Sequence, residues 1–435
     1  MLKKSLLILI SLGLSGLPVG RASNALAGGY MIPHQTARGL GLSNAMTGGV
    51  NDPSAVYYNP AALSEVKGDN LLASGSYVNV VNSVENSGRK SRNQHDDNFL
   101  ASFFANYHIP GTDLTLGVGT YAPFGLATTY GSDEFTRFAA IQTELKTIYV
   151  TPALSWNPTN YVSLGAGLSF VHSSGTFSRA LCLDPLSFCT QPLGLEGTVR
   201  FTDTADAFAY NLGLLVKPMD NLKFGFSYRS RVDLRFDNAD AKFGGSFSTP
   251  VANANVRPIP LPPVINAGLF WQITPNWGAE FVYEYTRWSE FKNFTATFSP
   301  TPIFVPLAAP LPGFTLPQDW KNTSTLRFGS YYALNDNWEL RGGIAVEETP
   351  IPSKTLNPAI PGADLLTLNA GIGYKWDKIS LDLAYMAVFY KKRRVTNDEL
   401  EGLPATAPLF YAGAPGRDKY ETFNNFVTIS IGYRF

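Results

Sequence analysis

Phe426-Val-Thr-Ile-Ser-Ile-Gly-Tyr-Arg-Phe435, the closing stretch of the chain, decides the fold. Successive side chains of an extended strand point to opposite sides. Val427, Ile429, Ile431, Tyr433 and Phe435 therefore share one face, and Thr428, Ser430, Gly432 and Arg434 share the other. One face suits hydrocarbon and the other suits water, the pattern of a strand in a membrane-spanning barrel. The alternation recurs upstream. Leu222, Phe224, Phe226 and Tyr228 oppose Lys223, Gly225, Ser227 and Arg229, and Trp338, Leu340, Ile344 and Val346 oppose Glu339, Arg341, Ala345 and Glu347. Leu381, Leu383, Tyr385 and Phe389 alternate with Asp382, Ala384, Met386 and Tyr390. A soluble sandwich is the competing reading. Trp156, Trp277, Trp338 and Trp376 stand at strand ends beside turns, where a membrane interface places aromatic rings, and this favours the barrel.

The N-terminus points to the same compartment. Lys3 and Lys4, an apolar run from Leu6 to Leu17 and Ala25-Leu-Ala27 read as a signal peptide over residues 1–27, with the mature chain starting at Gly28. The run is too short for a spanning helix, which needs about 20 apolar residues, and no later stretch qualifies. The expected location is the outer membrane of a Gram-negative bacterium, multi-pass, with both termini periplasmic. Lysine plus arginine equals aspartate plus glutamate, 34 of each, so no net field attracts nucleic acid. Cys182 and Cys189 flank Pro185 and are expected to close a small disulfide loop in an oxidising compartment; two unrelated thiols are the alternative.

Breaker residues divide the rest. Short turns are expected at 109–113, 157–160, 217–221, 274–276, 335–337 and 377–378. Longer polar or proline-rich stretches lie near 83–95, 127–143, 180–195, 238–256, 300–318, 351–364 and 397–419. Six short turns alternating with seven long loops give an all-β, antiparallel barrel of about 14 strands over residues 69–435, wide enough to leave an interior that side chains cannot fill. Residues 28–68 differ. They lack strand alternation and hold few charges, so they are expected to fold into the lumen as a short plug, with a dangling tail as the alternative.

This segment reads Gly28-Gly-Tyr-Met-Ile-Pro-His-Gln-Thr-Ala-Arg-Gly-Leu-Gly-Leu-Ser-Asn-Ala-Met-Thr-Gly-Gly49, then Asn51-Asp-Pro-Ser-Ala-Val-Tyr-Tyr-Asn-Pro-Ala-Ala-Leu63. It closely resembles the N-terminal hatch of the FadL family, transporters of long-chain fatty acids and aromatic hydrocarbons in Gram-negative outer membranes. Phe124-Gly-Leu-Ala-Thr128, Tyr228-Arg-Ser230, Asp336-Asn-Trp338 and the C-terminal Phe extend the resemblance over the mature chain. The terminal Phe also resembles the signal read by the barrel assembly machinery.

The resemblance implies a hydrophobic cargo, a plugged lumen and a kinked third strand that opens sideways toward lipid. The residues give their own reading. Asn59-Pro60-Ala61 is a rigid turn able to pin the hatch, or a plain surface turn. Pro123 cannot donate to a ladder and Gly125 weakens a strand, so residues 121–126 are either a kink in the wall or the beginning of a loop. By resemblance, Tyr30 contacts ligand together with Phe124 and Leu126, and Arg179 holds a fatty carboxylate. The family's second cation falls near Leu316, with Lys321 a poor substitute, which leaves hydrocarbons open as cargo.

By strand parity Arg229, Arg231, Asp233 and Arg235, and also Glu280, Glu284, Glu339 and Glu347, point into the lumen, more as pairs that seal it than as a conduction path. The loops are apolar at Leu181 to Leu195 and at Ile303 to Leu316, and are expected to capture cargo or simply to pack on one another. Four histidines, His34, His95, His108 and His172, join no catalytic or metal-ligating constellation, so neither an enzyme nor a cofactor is expected. The chain reads as a passive transporter, in all expectation monomeric, surrounded by outer-membrane lipid and lipopolysaccharide. A general porin for hydrophilic solutes is the second reading.

Overall fold

A computed structural model describes residues 29–86, 88–94, 98–182, 196–245, 247, 251–304, 309–395 and 418–435. The expected signal peptide, and the side chains of the expected Cys182–Cys189 disulfide, lie outside the described residues.

The described chain is a closed antiparallel barrel of 14 strands. The first six are β1 (Asn70–Asn86), β2 (Asn98–His108), β3 (Leu114–Tyr121, resuming as Gly125–Thr129), β4 (Gln142–Thr159), β5 (Val162–Cys182) and β6 (Glu196–Met219). Four interrupted strands follow: β7 (Leu222–Arg229 and Val232–Gly245), β8 (Val251–Leu261 and Val264–Thr274), β9 (Trp277–Thr286 and Asn293–Ser299) and β10 (Gly313–Pro317 and Thr323–Ala333). The ring ends with β11 (Trp338–Glu347), β12 (Leu365–Trp376), β13 (Ile379–Tyr390) and β14 (Lys419–Arg434). The last strand closes on the first in one unbroken register, from Asn70 opposite Arg434 to Glu85 opposite Lys419. Closure leaves no free sheet edge, which a wall in lipid requires. The terminal alternation falls as expected. Ile429, Ile431 and Phe435 are exposed, while Thr428 and Ser430 are buried and bonded to Ser76 and Ser74 of β1.

Parity counted along a whole strand fails in β7. Ser230 and Arg231 leave the ladder, and the inward face changes from odd to even numbers. Val232, Leu234 and Phe236 are buried, whereas Arg231, Asp233 and Arg235 face outward. Only Arg229 of that expected lumenal group points inward; it lies over the Tyr57 ring at 4.1 Å. A strand's period of two holds only while the pleat is continuous, and a break resets it.

The segment from Gly29 to Glu65 contributes none of the 14 strands. It folds as α1 (Ala37–Gly41), α2 (Ala55–Tyr58) and a 3-10 turn (Pro60–Glu65). Thr36 caps α1 by accepting from the amide of Gly39 at 3.0 Å, and Asn59 caps the 3-10 turn by accepting from the amide of Ala61 at 3.2 Å. Such short helices are marginal alone; burial holds them. The first packs against β11 to β14, and the 3-10 turn against β3 to β6, so the segment spans the lumen from side to side.

Candidate ligand passage

The wall is broken where Pro123 and Gly125 predict it. Residues 103–108 of β2 pair with residues 115–120 of β3. After Tyr121 that ladder stops, and Gly125–Thr129 pairs with β4 alone. The N-terminal segment takes the missing place. Ile32 donates its amide to the carbonyl of Pro123 at 2.7 Å, and Gly125 donates to the carbonyl of Tyr30 at 2.9 Å, with Met31 bridging Phe124 in antiparallel register. Gln35 completes the seal. Its side chain donates to the carbonyl of Ala122 and accepts from the amide of Ala122, both at 3.2 Å, and its own carbonyl accepts from Ser102 of β2. Backbone groups inside a bilayer must find partners within the protein. Here the N-terminal segment supplies them.

Behind the break stands a cage of rings. Tyr30 is fully buried, with Trp288 at 4.8 Å, Trp320 at 5.5 Å, Phe291 at 6.1 Å and Phe124 at 6.3 Å between centroids. Its hydroxyl donates to the carbonyl of Pro260. Most of these contacts are edge-on, the geometry aromatic rings prefer, worth about 0.5–1.5 kcal/mol per pair beyond area. Trp288, Phe291 and Trp320 come from the interruptions in β9 and β10, which carry them inward.

Nearer the long loops lies an apolar cavity of about 60 Å³, walled by Phe177, Phe201, Phe294, Phe314 and Leu316. Arg179 lines it, donates to the carbonyl of Phe138 and lies over the Phe314 ring at 5.6 Å. Arg179 thus belongs to the upper cavity and Tyr30 to the cage. Phe291 is common to both. Leu316 occupies this cavity beside the arginine, where the second cation was missed; Lys321 is exposed. Leu126, just past the break, is buried opposite Leu145.

Polar contacts fix the N-terminal segment in the lumen. The Glu280 carboxylate accepts from three consecutive amides, Thr47 at 2.7 Å, Gly48 at 2.6 Å and Gly49 at 2.9 Å. Asn59 donates to the carbonyls of Thr47 and Leu214 at 2.7 and 3.2 Å. The Asn59-Pro60-Ala61 turn sits directly on the wall at Gly165 and Gly213, where an added Cβ would overlap turn atoms. Replacing Gly165 with valine is expected to unseat the turn at about 1–3 kcal/mol. Limited proteolysis should then cut the N-terminal segment while the barrel stays heat-modifiable on gels. The acidic residues expected in the lumen are paired: Arg38 of α1 meets Glu339, Arg341 bonds Glu339 and Asp382 at 2.6 Å each, and Arg327 lies 2.9 Å from Glu284 and 3.7 Å from Glu347.

At the short-turn end, under the segment, a cavity of about 550 Å³ is lined by Arg38, Asp52, Glu65, Lys67, Lys375 and Asp382 among others. Burial opposes ionisation of Glu65, but Lys223 at 2.8 Å and Lys217 at 2.6 Å hold its carboxyl below the usual range. A charged vestibule offers apolar molecules nothing.

Residues 19–435 match the model of the family described as outer membrane protein transport protein (OMPP1/FadL/TodX). The chain belongs to this family. It is similar to the long-chain fatty acid transport protein of Escherichia coli (strain K12), 22% identical over 84% of this chain and 89% of that protein. Outer membrane protein P1 of Haemophilus influenzae (strain ATCC 51907 / DSM 11121 / KW20 / Rd) is 23% identical over 87% and 90%. Among solved structures, a Pseudomonas aeruginosa FadL homologue superposes with a TM-score of 0.78 at 21% identity, covering 94% of this chain and all of that one. The toluene transporter TodX of P. putida gives 0.70 at 18%, covering 91% and 98%. Membership places the chain in the Gram-negative outer membrane as a multi-pass barrel.

Within this FadL-type barrel, sequence reasoning missed Trp288, Trp320, Gln35 and the clasp role of Glu280. The one local signal for the tryptophans was Pro262-Pro263 and Pro317, breakers on or beside those strands.

Proposed function

We propose that the protein is a passive transporter of hydrophobic compounds, fatty acids or hydrocarbons, across the outer membrane. Cargo is captured among the long loops, enters the apolar cavity beside Arg179, moves past Phe291 to the Tyr30 cage, and leaves sideways through the β3 break when the N-terminal hatch shifts. The long loops are extracellular and both termini periplasmic in this reading. The observation that carries it is the break in β3 closed by Ile32 and Gln35 of the hatch rather than by its neighbouring strand. The charged vestibule under the hatch supports a sideways exit, since an apolar chain would lose about 25 cal/mol for each Å² returned to water. The relatives' names, a long-chain fatty acid transport protein and a toluene transporter, fit the same class.

Cargo is decided by two substitutions. Trp320→Ala empties the cage and is expected to lower uptake of oleate and toluene alike, by about tenfold or more for a loss of at least 1.4 kcal/mol. Arg179→Gln is expected to lower oleate uptake and spare toluene if carboxylates are carried. Uptake of both labelled compounds by a deletion strain bearing each variant gives the answer; unchanged uptake in Trp320→Ala would remove the cage from the path.

A further inference from the structure

The strand-like stretch at Tyr30 and Met31 separates two chambers. Tyr30 turns into the aromatic cage, and Met31 lines a different cavity, of about 40 Å³, bounded by β10 to β14. Its lining is partly apolar, with Met31, Met386, Val388 and Phe426, and partly polar, with His34, Arg327 and Glu347. Most nearby polar groups have partners, the buried Arg327 Nε being an exception. Ser43 donates to Asn369 at 2.6 Å, Asn44 accepts from Tyr58 at 3.1 Å, and Tyr390 accepts from Asn424 at 2.6 Å. His34 differs. It is 4% exposed, its ring stands edge-on to Phe426 at 4.3 Å, and neither ring nitrogen has a partner among the described residues. Buried polar atoms are nearly always bonded, so an orphaned imidazole lining a cavity calls for a ligand.

Charge narrows the ligand class. Arg327 is already shared between two acidic side chains, Glu284 at 2.9 Å and Glu347 at 3.7 Å. A carboxylate head would have to compete with both for the one guanidinium. A neutral imidazole offers one donor and one acceptor, and a hydroxyl group offers the complement. A cavity this size takes a hydroxyl and the first carbons of a chain, the rest lying along Met31.

We propose that this cavity is a second binding site, specific for the hydroxyl head of a neutral alkyl alcohol, with His34 as its hydrogen-bond partner. It rests on the reading of the lumen as a path for hydrophobic cargo. The test is competition of 1-dodecanol, dodecane and laurate for radiolabelled 1-dodecanol on the purified protein. For the part of the binding that depends on His34, dodecanol is expected to compete at least tenfold better than either of the others. His34→Leu should bring dodecanol to the level of dodecane and leave dodecane unchanged. Glu347→Gln, which removes one of the two acidic groups competing for Arg327, should strengthen laurate instead, a gain that misfolding cannot mimic. An unchanged alcohol preference in His34→Leu, or laurate displacing the His34-dependent part of the bound label as well as dodecanol does, overturns the site. So does a crystal structure grown with dodecanol that holds water alone beside His34. If dodecane binds without any alcohol preference, only this site fails; if none of the three binds, the transport reading fails with it.

Discussion

Oxidised, a Met31→Cys/Phe124→Cys variant is expected to take up oleate and toluene no faster than cells lacking the protein; reduced, its protein-dependent uptake should rise at least tenfold. The two residues are antiparallel bridge partners. Facing residues in such a pair have Cα atoms roughly 4.5–5.5 Å apart, inside the range of about 4.4–6.8 Å that a disulfide spans. The bond would fasten the hatch to β3 at the point where cargo is to leave. Comparing oxidised with reduced states of one variant cancels the loss of the Phe124 ring. Labelled uptake before and after reductant reads the effect. Equal uptake in both states would mean that the hatch need not part from β3.

Glu280→Ala should produce the opposite failure, a leaky barrel. Glu280 satisfies three consecutive hatch amides from the lumenal face of β9. Truncation leaves three amide donors, two of them buried, without that acceptor, each buried one at about 1–3 kcal/mol unless water replaces it. The sum exceeds what a segment of two short helices can absorb, so the hatch is expected to swing free part of the time. Planar-bilayer recordings should show ion steps several-fold more frequent than in the unsubstituted protein, and Glu280→Gln, which keeps one acceptor oxygen, should fall between. A silent Glu280→Ala channel would show that the clasp is dispensable.

The barrel was legible because its signals are local. Alternation in residues 426–435 and breakers such as Asn157-Pro158 and Asp377-Lys378 act within a few residues. Among the described residues the short turns fall at or within a few residues of where they indicate, while much of the stretches near 238–256 and 300–318 is strand. The β3 break was legible for the same reason, since Pro123 and Gly125 weaken a strand whatever surrounds it. What closes the break was not. Gln35 meets Ala122 across 87 positions of sequence, and no periodicity encodes that meeting. The outward turn of Arg231, Asp233 and Arg235 escaped because the count ran through Ser230 as though the pleat were continuous. Trp288 and Trp320 escaped for a related reason, as residues of strand interruptions have no assigned face. The inward face of Arg179 was legible from the parity of its strand and its role only through resemblance, and the structure gives it to the upper cavity rather than to the cage.

The central claim, that hydrophobic molecules pass through this wall and hydrophilic ones do not, is tested most directly by flux through the purified protein in proteoliposomes. Influx of labelled oleate and toluene is measured beside that of a small sugar in the same vesicles. The expected result is hydrophobe influx well above protein-free vesicles, abolished by oxidation of the Met31→Cys/Phe124→Cys variant, with sugar influx at background in every case. Sugar influx through the unsubstituted protein, with no protein-dependent influx of either hydrophobe, would contradict the account and make the chain a general porin.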